Sequence, residues 1–374
     1  MSCWWRIAKV IGSTLLILCA LLAGAFVYCF KLAPRAGAAP DGERLARIRQ
    51  SPNYHDEKFH NTTETTLSGG GHLGAAFADW LFGADRAPAN PLPVLWNDPG
   101  EMFAADSTLR VTWFGHSTTL LTCDGAAILL DPMFSSSAAP FPYLGNRFPI
   151  TREITGAELP QLDAVVISHD HYDHLDLESV RQLAGKTRVF LAPLGVGAHL
   201  ERWGVAPDKI IELDWWESTT VGAIEFIATP ARHFSGRGAP ASNGTLCCSW
   251  VVRSPGSRVF FSGDSGYFDG FKEIGRRYGP FDLALLECGQ YSENWPDVHM
   301  APEETAQALL DVRGAALMPI HWGAFDLSLH AWNEPPRRLS AAAAARGIPL
   351  ALPRIGETFS LHNLPQERWW ERVP

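Results

Sequence analysis

The sequence has few cysteines and no obvious internal repeat. Its seven cysteines are scattered along 374 residues and include no C-x-x-C pair, which excludes a disulfide-rich scaffold and a cysteine-based zinc knuckle. The charged fraction is 19% and the hydrophobic fraction 46%, with 33 glycines and 27 prolines. This globular composition excludes disordered, collagen-like and coiled-coil proteins, and the length allows one large domain or two.

The sequence also lacks a surplus of basic residues. It has 31 Lys and Arg against 40 Asp and Glu, a formal net charge of −9. Residues 1–40 contain four basic residues, Arg6, Lys9, Lys31 and Arg35, and no acidic one. The other 27 basic and 40 acidic residues leave the body of the chain at −13. An acidic body of this kind argues against nucleic acid as a partner.

An uncharged, mostly apolar run occupies residues 10–30. About 20 apolar residues in a helix cross the core of a bilayer. A signal peptide cleaved near Ala36-Gly37-Ala38 is the alternative, but its hydrophobic region is usually shorter, roughly 7–15 residues. We therefore predict that residues 1–33 are a single-pass membrane anchor. Basic residues flank both ends of the run, so orientation rests on the default of an N-terminus inside, with the catalytic body on the periplasmic side.

The rest of the chain divides into two predicted parts. Residues 34–100 are rich in Pro, Gly, Ala and Asn, and we interpret them as a linker and an extended lead-in. Residues 101–374 carry regular apolar patterns of an α/β domain, with strand groups punctuated by helices, which predicts two facing sheets with helices outside. The predicted strands are 109–114, 118–123, 127–130, 163–168, 189–192, 210–213, 223–228, 246–252, 258–262, 283–287 and 316–320. The predicted helices are 176–183, 271–277, one beginning at Pro302, and one near 340–346.

Six consecutive residues after the predicted strand 163–168 carry three imidazoles and two carboxylates. They are His169-Asp170-His171-Tyr172-Asp173-His174. Only 13 residues of the chain are histidine, so this clustering indicates a metal site rather than a polar loop that faces water. Nitrogen and oxygen ligands of this kind suit zinc, manganese or iron better than calcium or magnesium.

Three later polar residues follow predicted strands and complete the pattern: His233, Asp264 and His321. Glycines beside Asp264 and His321 allow the backbone to approach a ligand closely. Taken singly, each residue is more typical of a hydrogen-bonded strand end. Together with the first cluster, they indicate that the chain returns to one metal site.

The ordered set His169-x-His171-x-Asp173-His174, His233, Asp264 and His321 resembles the ligand set of metallo-β-lactamase-fold hydrolases. Flanking sequences resemble one branch, the N-acylphosphatidylethanolamine-hydrolysing phospholipase D family. They are Thr112-Trp113-Phe114-Gly115-His116-Ser117, Asp131-Pro132-Met133-Phe134-Ser135, Glu212-Leu213-Asp214-Trp215-Trp216-Glu217, Gly279-Pro280-Phe281-Asp282-Leu283-Ala284 and Ile320-His321-Trp322-Gly323-Ala324-Phe325. The resemblance covers about residues 51–356. The N-terminal apolar run and the segment 290–300 depart from the mammalian pattern.

The resemblance implies an αββα four-layer sandwich that binds two zinc ions. It implies that one zinc is held by His169, His171 and His233 and the other by Asp173, His174 and His321. Asp264 would bridge the ions and orient a shared hydroxide, the nucleophile of the reaction, so Asp264 and Asp173 are predicted to be catalytic as well as ligands.

Four further residues are candidate catalytic or substrate-binding groups. His116 follows a strand beside a glycine and is either a support for a ligand or the cap of a turn. His299, just before the Pro302 helix, is predicted to act on a phosphoryl oxygen or a leaving group. His330 could do the same or simply face solvent, and Tyr291 lies in the altered segment expected to contact substrate.

Three functions are consistent with these residues. The first is a membrane-anchored phosphodiesterase that cleaves N-acylphosphatidylethanolamine-like lipids to N-acylethanolamine and phosphatidic acid. The second is a dinuclear zinc lactonase, because fold alone does not decide substrate. The third is a metal-stabilised binding module without catalysis. We favour the first because a lactonase needs neither an anchor nor an apolar groove; a homodimer is left open.

Overall fold

The predicted strands form two mixed β-sheets in the computed structural model, which describes residues 3–67, 85–97, 99–103, 106–141, 144–238 and 242–373. The strands are β1 Tyr54–His55, β2 Lys58–Phe59, β3 Arg110–Trp113, β4 Thr119–Cys123, β5 Ala126–Leu130, β6 Leu162–Val166, β7 Thr187–Pro193, β8 Ile210–Leu213, β9 Ser218–Val221, β10 Ile224–Pro230, β11 Cys248–Arg253, β12 Arg258–Phe261, β13 Leu283–Glu287, β14 Leu317–Ile320 and β15 Thr358–Ser360. The helices are α1 Cys3–Val27, α2 Gly42–Ile48, α3 Pro99–Met102, α4 Leu177–Leu183, α5 Gly197–Arg202, α6 Gly270–Tyr278, α7 Pro302–Val312 and α8 Glu334–Arg346.

Each sheet combines an antiparallel half with a parallel half. The first has the order β15-β3-β4-β5-β6-β7-β8, antiparallel from β15 to β5 and parallel from β5 to β8. The second has the order β14-β13-β12-β11-β10-β9, parallel from β14 to β12 and antiparallel from there to β9. The apolar strands of the parallel halves are buried, as expected for strands covered on both faces.

The two sheets pack face to face with helices on the outside. The indole of Trp250 on β11 donates to the carbonyl of Ile167, just after β6, at 2.9 Å. The amide of Cys248 donates to the carbonyl of Ser168 at 3.0 Å. Buried side chains of both sheets belong to one apolar cluster, while α7 packs on β13 and α5 on β8. The predicted αββα architecture is therefore confirmed.

Every predicted strand and helix is present, but several short elements were missed. The edge strands β9 and β15 and the helix α5 have too few residues to show a clear apolar period. The last helix begins at Glu334, not near Ser340, because Pro335 and Pro336 fit the first turn, where their missing amide hydrogens need no partner.

Much of the chain before β3 lies along the surface of the body of the protein. The helix α2 and the hairpin β1–β2 precede residue 67, and isolated bridges join Leu92 to Ile150 and Val94 to Ile355. Residues 68–84, which include the Gly69-Gly70-Gly71 part of the predicted lead-in, lie outside the described residues. The domain boundaries at residues 33 and 100 stay predictions.

The N-terminal helix is long and apolar enough to cross a membrane. The candidate span is Lys9–Leu32, with a mean hydropathy of 2.5 and none of its most apolar window buried. A short segment, residues 33–40, then connects it to the body, and we call this segment the strap. The indole of Trp203 donates to the carbonyl of Pro34 at 2.7 Å, and Arg237 Nε donates to the carbonyl of Arg35 at 2.8 Å. The strap is thus hydrogen-bonded to the body.

Candidate metal centre

The ends of four strands deliver the predicted ligands to one place between the sheets. The His169–His174 cluster follows β6, His233 follows β10, Asp264 follows β12 and His321 follows β14. The cluster ends where Asp176 caps α4, its carboxylate accepting from the amide of Ser179 at 3.0 Å. Such a cap satisfies a free amide at the helix start. The turn from strand into capped helix therefore places the cluster at the edge of the sheet.

Three imidazoles form the first donor group: His169, His171 and His233. The distance from His169 Nε2 to His171 Nδ1 is 2.9 Å, and that from His233 Nε2 to His171 Nδ1 is 3.1 Å. The ring nitrogens thus converge on one point, and His233 is held from behind because its Nδ1 lies 2.9 Å from the carbonyl of Val298. Converging imidazole nitrogens of this kind are ligands for a transition metal.

Asp173, His174 and His321 form a second donor group beside it, and Asp264 lies between the two groups. Asp173 Oδ2 is 3.4 Å from His174 Nε2. Asp264 Oδ2 is 3.1 Å from His174 Nε2 and 3.7 Å from His169 Nε2, while its Oδ1 is 3.0 Å from His321 Nδ1. The structure therefore brings all seven predicted ligands together.

The donor atoms are better placed to bind cations than to form hydrogen bonds with one another. His174 Nε2 and Asp264 Oδ1 are buried and have no hydrogen-bond partner in the described part of the chain. Burial, assisted by the neighbouring His171, lowers the pKa of His233 to about 3. Burial also opposes ionisation of Asp264, yet His174 and His321 outweigh it and hold its pKa well below the usual range. Burial likewise opposes a charge on His174, yet Asp264 and Asp173 outweigh it and raise the pKa of His174 well above the usual range. A metal ion bound here would take the place of that proton, because a ligating imidazole must be neutral.

Asp131, at the end of β5, supports the second donor group from behind. Its Oδ2 lies 2.7 Å from His174 Nδ1, and its two oxygens accept from the amide and hydroxyl of Ser168 at 2.7 and 2.6 Å. A carboxylate on the far ring nitrogen fixes the tautomer and orientation of a ligating histidine. Sequence reasoning missed this role, because the pairing of β5 with β6 that brings Asp131 to His174 is seen only in the structure; the one signal in the sequence is that Asp131 begins a segment that resembles the phospholipase D branch.

His116 lies against the predicted ligand Asp173 and also occupies a turn. It has a left-handed backbone, with φ at +53°, and is fully buried. Its Nε2 lies 2.8 Å from Asp173 Oδ2, while its amide donates to the carbonyl of Trp322 at 3.1 Å. Burial, with His321 nearby, lowers the pKa of His116 to about 3. A neutral His116 that donates from Nε2 would orient Asp173.

A cavity of about 310 Å³ opens over the donors. His171, Asp173, Asp264 and His321 lie on one side of it, and His299 lines it as well. The other lining residues described by the structure are Leu67, Phe234, Gln290, Trp295, Val298 and Leu327. Reactive groups and a largely apolar wall thus face the same space.

His299 is held over the donors by a buried carboxylate that the sequence reasoning missed. Its Nδ1 lies 2.9 Å from Glu287 Oε2, and its ring stacks against that of His321 at 5.1 Å between centroids. Glu287 is fully buried at the end of β13 and also accepts from the amide of Met300 at 2.6 Å. His299 lines the cavity, and its Nε2 atom has no hydrogen bond within the described part of the chain.

Tyr291 and His330 are not among the described residues that line this cavity. Their rings stack at 4.5 Å, the Tyr291 hydroxyl donates to Glu334 at 2.7 Å, and His330 Nε2 accepts from the amide of Gln290 at 2.9 Å. The structure thus places both behind Gln290, where they support a wall of the cavity. Direct substrate contact by either residue would need that wall to move.

Comparison with known proteins identifies the superfamily of this chain. Residues 126–322 match the family model described as a β-lactamase superfamily domain. The chain therefore belongs to the metallo-β-lactamase superfamily, and it is a metal-dependent hydrolase.

Individual relatives resemble the chain over much of its length. An uncharacterized protein of Mycobacterium tuberculosis is 43% identical over 348 residues, covering 90% of this chain and 92% of that protein. An N-acyl-phosphatidylethanolamine-hydrolyzing phospholipase D of Caenorhabditis elegans is 32% identical over 258 residues, covering 66% of this chain and 72% of that protein. A solved structure of a possible metal-dependent hydrolase from Veillonella parvula superposes with a TM-score of 0.56 at 15% identity, covering 68% of this chain and 99% of that one. This last likeness shows the fold alone.

Proposed function

We propose that the protein is a membrane-tethered phosphodiesterase of phospholipase D type that uses two zinc ions. Its substrates are N-acylphosphatidylethanolamine-like lipids. Water adds to phosphorus, the bond from phosphorus to the headgroup oxygen breaks, and the products are phosphatidic acid and an N-acylethanolamine. The homology to the nematode phospholipase D supports this substrate class.

The observation that carries the proposal is the arrangement of two donor groups on either side of Asp264, beneath a cavity with apolar walls. His169, His171 and His233 would hold one ion, and Asp173, His174 and His321 the other. Bound zinc ions supply Lewis acidity that activates water at neutral pH and stabilises the charge of a phosphoryl group in displacement. Apolar walls suit the acyl chains of a lipid better than a small polar substrate.

The chain itself supplies proton handling at this site. His299 Nδ1 is fixed by Glu287 at 2.9 Å, so Nε2 can exchange a proton with a group in the cavity. A positioned imidazole can carry the proton released by water to the departing headgroup oxygen. We infer that His299 is the catalytic acid–base group and that His116 positions Asp173.

The N-terminal helix supports a lipid substrate because it would keep the enzyme at the bilayer. The strap also favours retention of this helix over cleavage near Ala38. The amide of Ala38 donates to His199 Nδ1 at 3.0 Å, and Gly37, with φ at +74°, packs so closely that an added Cβ would lie 1.9 Å from the same nitrogen. Cleavage there would remove a segment fitted to the body.

The test is a direct comparison of substrates with the full-length protein. N-acylphosphatidylethanolamine in detergent micelles, a soluble phosphodiester and a panel of lactones are incubated with it, and products are identified by mass spectrometry. We expect N-acylethanolamine and phosphatidic acid in equal amounts. Lactone opening without phosphodiester cleavage would favour the lactonase instead.

Two variants test whether turnover depends on the metal centre. Asp264→Asn should lower turnover on the order of 10³-fold because the shared anion is lost. Asp269→Asn, which changes an exposed aspartate paired with Lys272, should leave turnover unchanged. Elemental analysis of the wild-type protein should find two zinc ions per chain; full activity with none would contradict the proposal.

A further inference from the structure

A second cavity, of about 390 Å³, lies where the N-terminal helix meets the body. We call it the junction cavity. Phe26, Phe30 and Lys31 of the helix end form one side of it. The strap and residues of the body, including Arg237 and Thr245, form the rest. The apolar side therefore continues the surface that would face acyl chains, and the polar side lies within the body.

The polar side contains a buried cation without a matching carboxylate. Arg237 is only 5% exposed. Its guanidinium donates to the backbone carbonyls of Arg35, Asp170 and Leu175 at 2.7–2.8 Å and, within the described part of the chain, forms no ion pair. The rings of Tyr172 and Trp203 lie 3.8 and 5.0 Å from its guanidinium carbon, and they offset part of the cost of burying the charge. Because no carboxylate of the described residues contacts the guanidinium directly, an anion in the cavity would stabilise this arrangement further.

One carboxylate does line the cavity, but it is already engaged. Asp170 accepts from the amide of Gly236 at 2.7 Å, and its other oxygen is 3.3 Å from His199 Nε2. Because Ala38 donates to His199 Nδ1, Nε2 carries the proton and donates to Asp170. With Lys31 at the helix end, the wall holds two positive charges against one negative charge, which matches a monoanion.

A buried hydroxyl gives a second and independent indication of a ligand. Thr245 is 4% exposed, and its Oγ1 has no hydrogen-bond partner in the described part of the chain. Buried hydroxyls are normally bonded, and each exception needs an explanation such as an absent ligand or ion. A phosphate oxygen in the junction cavity would accept this hydrogen bond.

We propose that the junction cavity binds the phosphodiester of a bilayer phospholipid, with Lys31 and Thr245 as contacts and an acyl chain along Phe26 and Phe30. A phosphodiester carries one negative charge, the charge that the wall lacks. The occupant is a lipid rather than a free phosphate because the cavity wall is the end of the candidate membrane span. The inference rests on the membrane anchoring proposed above but not on the identity of the substrate.

The test measures lipid binding without turnover. Full-length protein in non-ionic detergent is titrated with dioleoylphosphatidylglycerol, and bound lipid is counted by native mass spectrometry. We expect one saturable lipid per chain. Lys31→Gln should weaken binding about fivefold, the effect of one lysine at an anionic surface, and Thr245→Val about tenfold through loss of a hydrogen bond to a charged group.

Matched controls identify the site. Thr245→Ser keeps the hydroxyl and should retain binding, and Lys9→Gln removes a charge at the other end of the same span and should do the same. Asp264→Asn should also bind lipid normally, which separates this cavity from the metal centre. Equal binding by all variants, or binding that does not saturate, would overturn the proposal. Inorganic phosphate that binds as tightly as the lipid would overturn the lipid assignment.

Discussion

The substitution Asp131→Asn tests how the metal centre is held together. Asp131 Oδ2 faces His174 Nδ1 at 2.7 Å and the Ser168 hydroxyl at 2.6 Å. An asparagine keeps the shape but places an amide group, which donates, where an acceptor is needed. His174 can avoid two facing donors by moving its proton from Nδ1 to Nε2. That tautomer blocks the nitrogen that points to Asp264.

The size of the effect follows from this change of tautomer. Loss of a carboxylate partner behind a ligating histidine typically costs 10–100-fold in metal affinity, which corresponds to about 1.4–2.8 kcal/mol. Because His174 belongs to the second donor group, we expect one of two bound ions to weaken while the other is retained. Turnover should fall with the weakened ion and recover in part at high zinc concentration.

Competition with a chromophoric chelator measures the two zinc affinities of the purified protein. Asp163→Asn is the matched control, since Asp163 Oδ2 accepts from the amide of Ala127 at 3.0 Å on the same sheet, away from the donors. Unchanged zinc affinity in Asp131→Asn would refute the role of Asp131. An equal loss in Asp163→Asn would show that general damage to the sheet, not the tautomer, is the cause.

Two further predictions concern the support of His299 and the contribution of the strap to stability. Glu287→Met should lower kcat about 10²-fold because the group that fixes His299 Nδ1 is removed, with KM and bound zinc little changed, as measured by kinetics and elemental analysis. Glu287→Gln, which keeps a hydrogen-bonding group at this place, should retain more activity, Glu273→Gln on the surface is the control, and loss of zinc would show that Glu287 serves the metals instead. Removal of residues 1–33 should leave the zinc affinities unchanged and lower Tm only slightly, because few contacts with the body are lost, such as that of Phe30 with Phe141. Removal of residues 1–40 should lower Tm further because several strap hydrogen bonds, each worth about 1 kcal/mol, are lost; equal Tm values for the two truncations, measured by calorimetry, would show that residues 34–40 contribute nothing.

The ligand set could be predicted from sequence because most of it is local. Four of the seven ligands lie within residues 169–174, and each of the others lies one to three residues after the end of an apolar strand. The residues behind the ligands could not be predicted in the same way. Asp131 meets His174 across 43 positions of sequence, while Glu287 meets His299 across 12. Each contact depends on strand order and register, which a single sequence does not display.

The contacts of the strap also could not be predicted from the sequence. Its composition, rich in Ala, Gly and Pro, is that of a linker, and the interpretation as a linker followed from it. The contacts that fix it are backbone carbonyls and amides, which every residue has. Only the partners on the body, Trp203, His199 and Arg237, are distinctive, and they lie far away in the sequence.

The metal-binding loop, residues 169–174, connects the metal centre to the strap. His169 and His171 point toward the donors, while Asp170 between them points the other way, as alternation along an extended segment requires. Asp170 meets His199, which accepts from Ala38 of the strap, and the Asp170 carbonyl accepts from Arg237. The backbone that carries two zinc ligands is thus braced by the wall of the junction cavity. The contacts of this brace come from the strap and the body and not from the helix before them, which is why removal of residues 1–33 is expected to leave the zinc affinities unchanged.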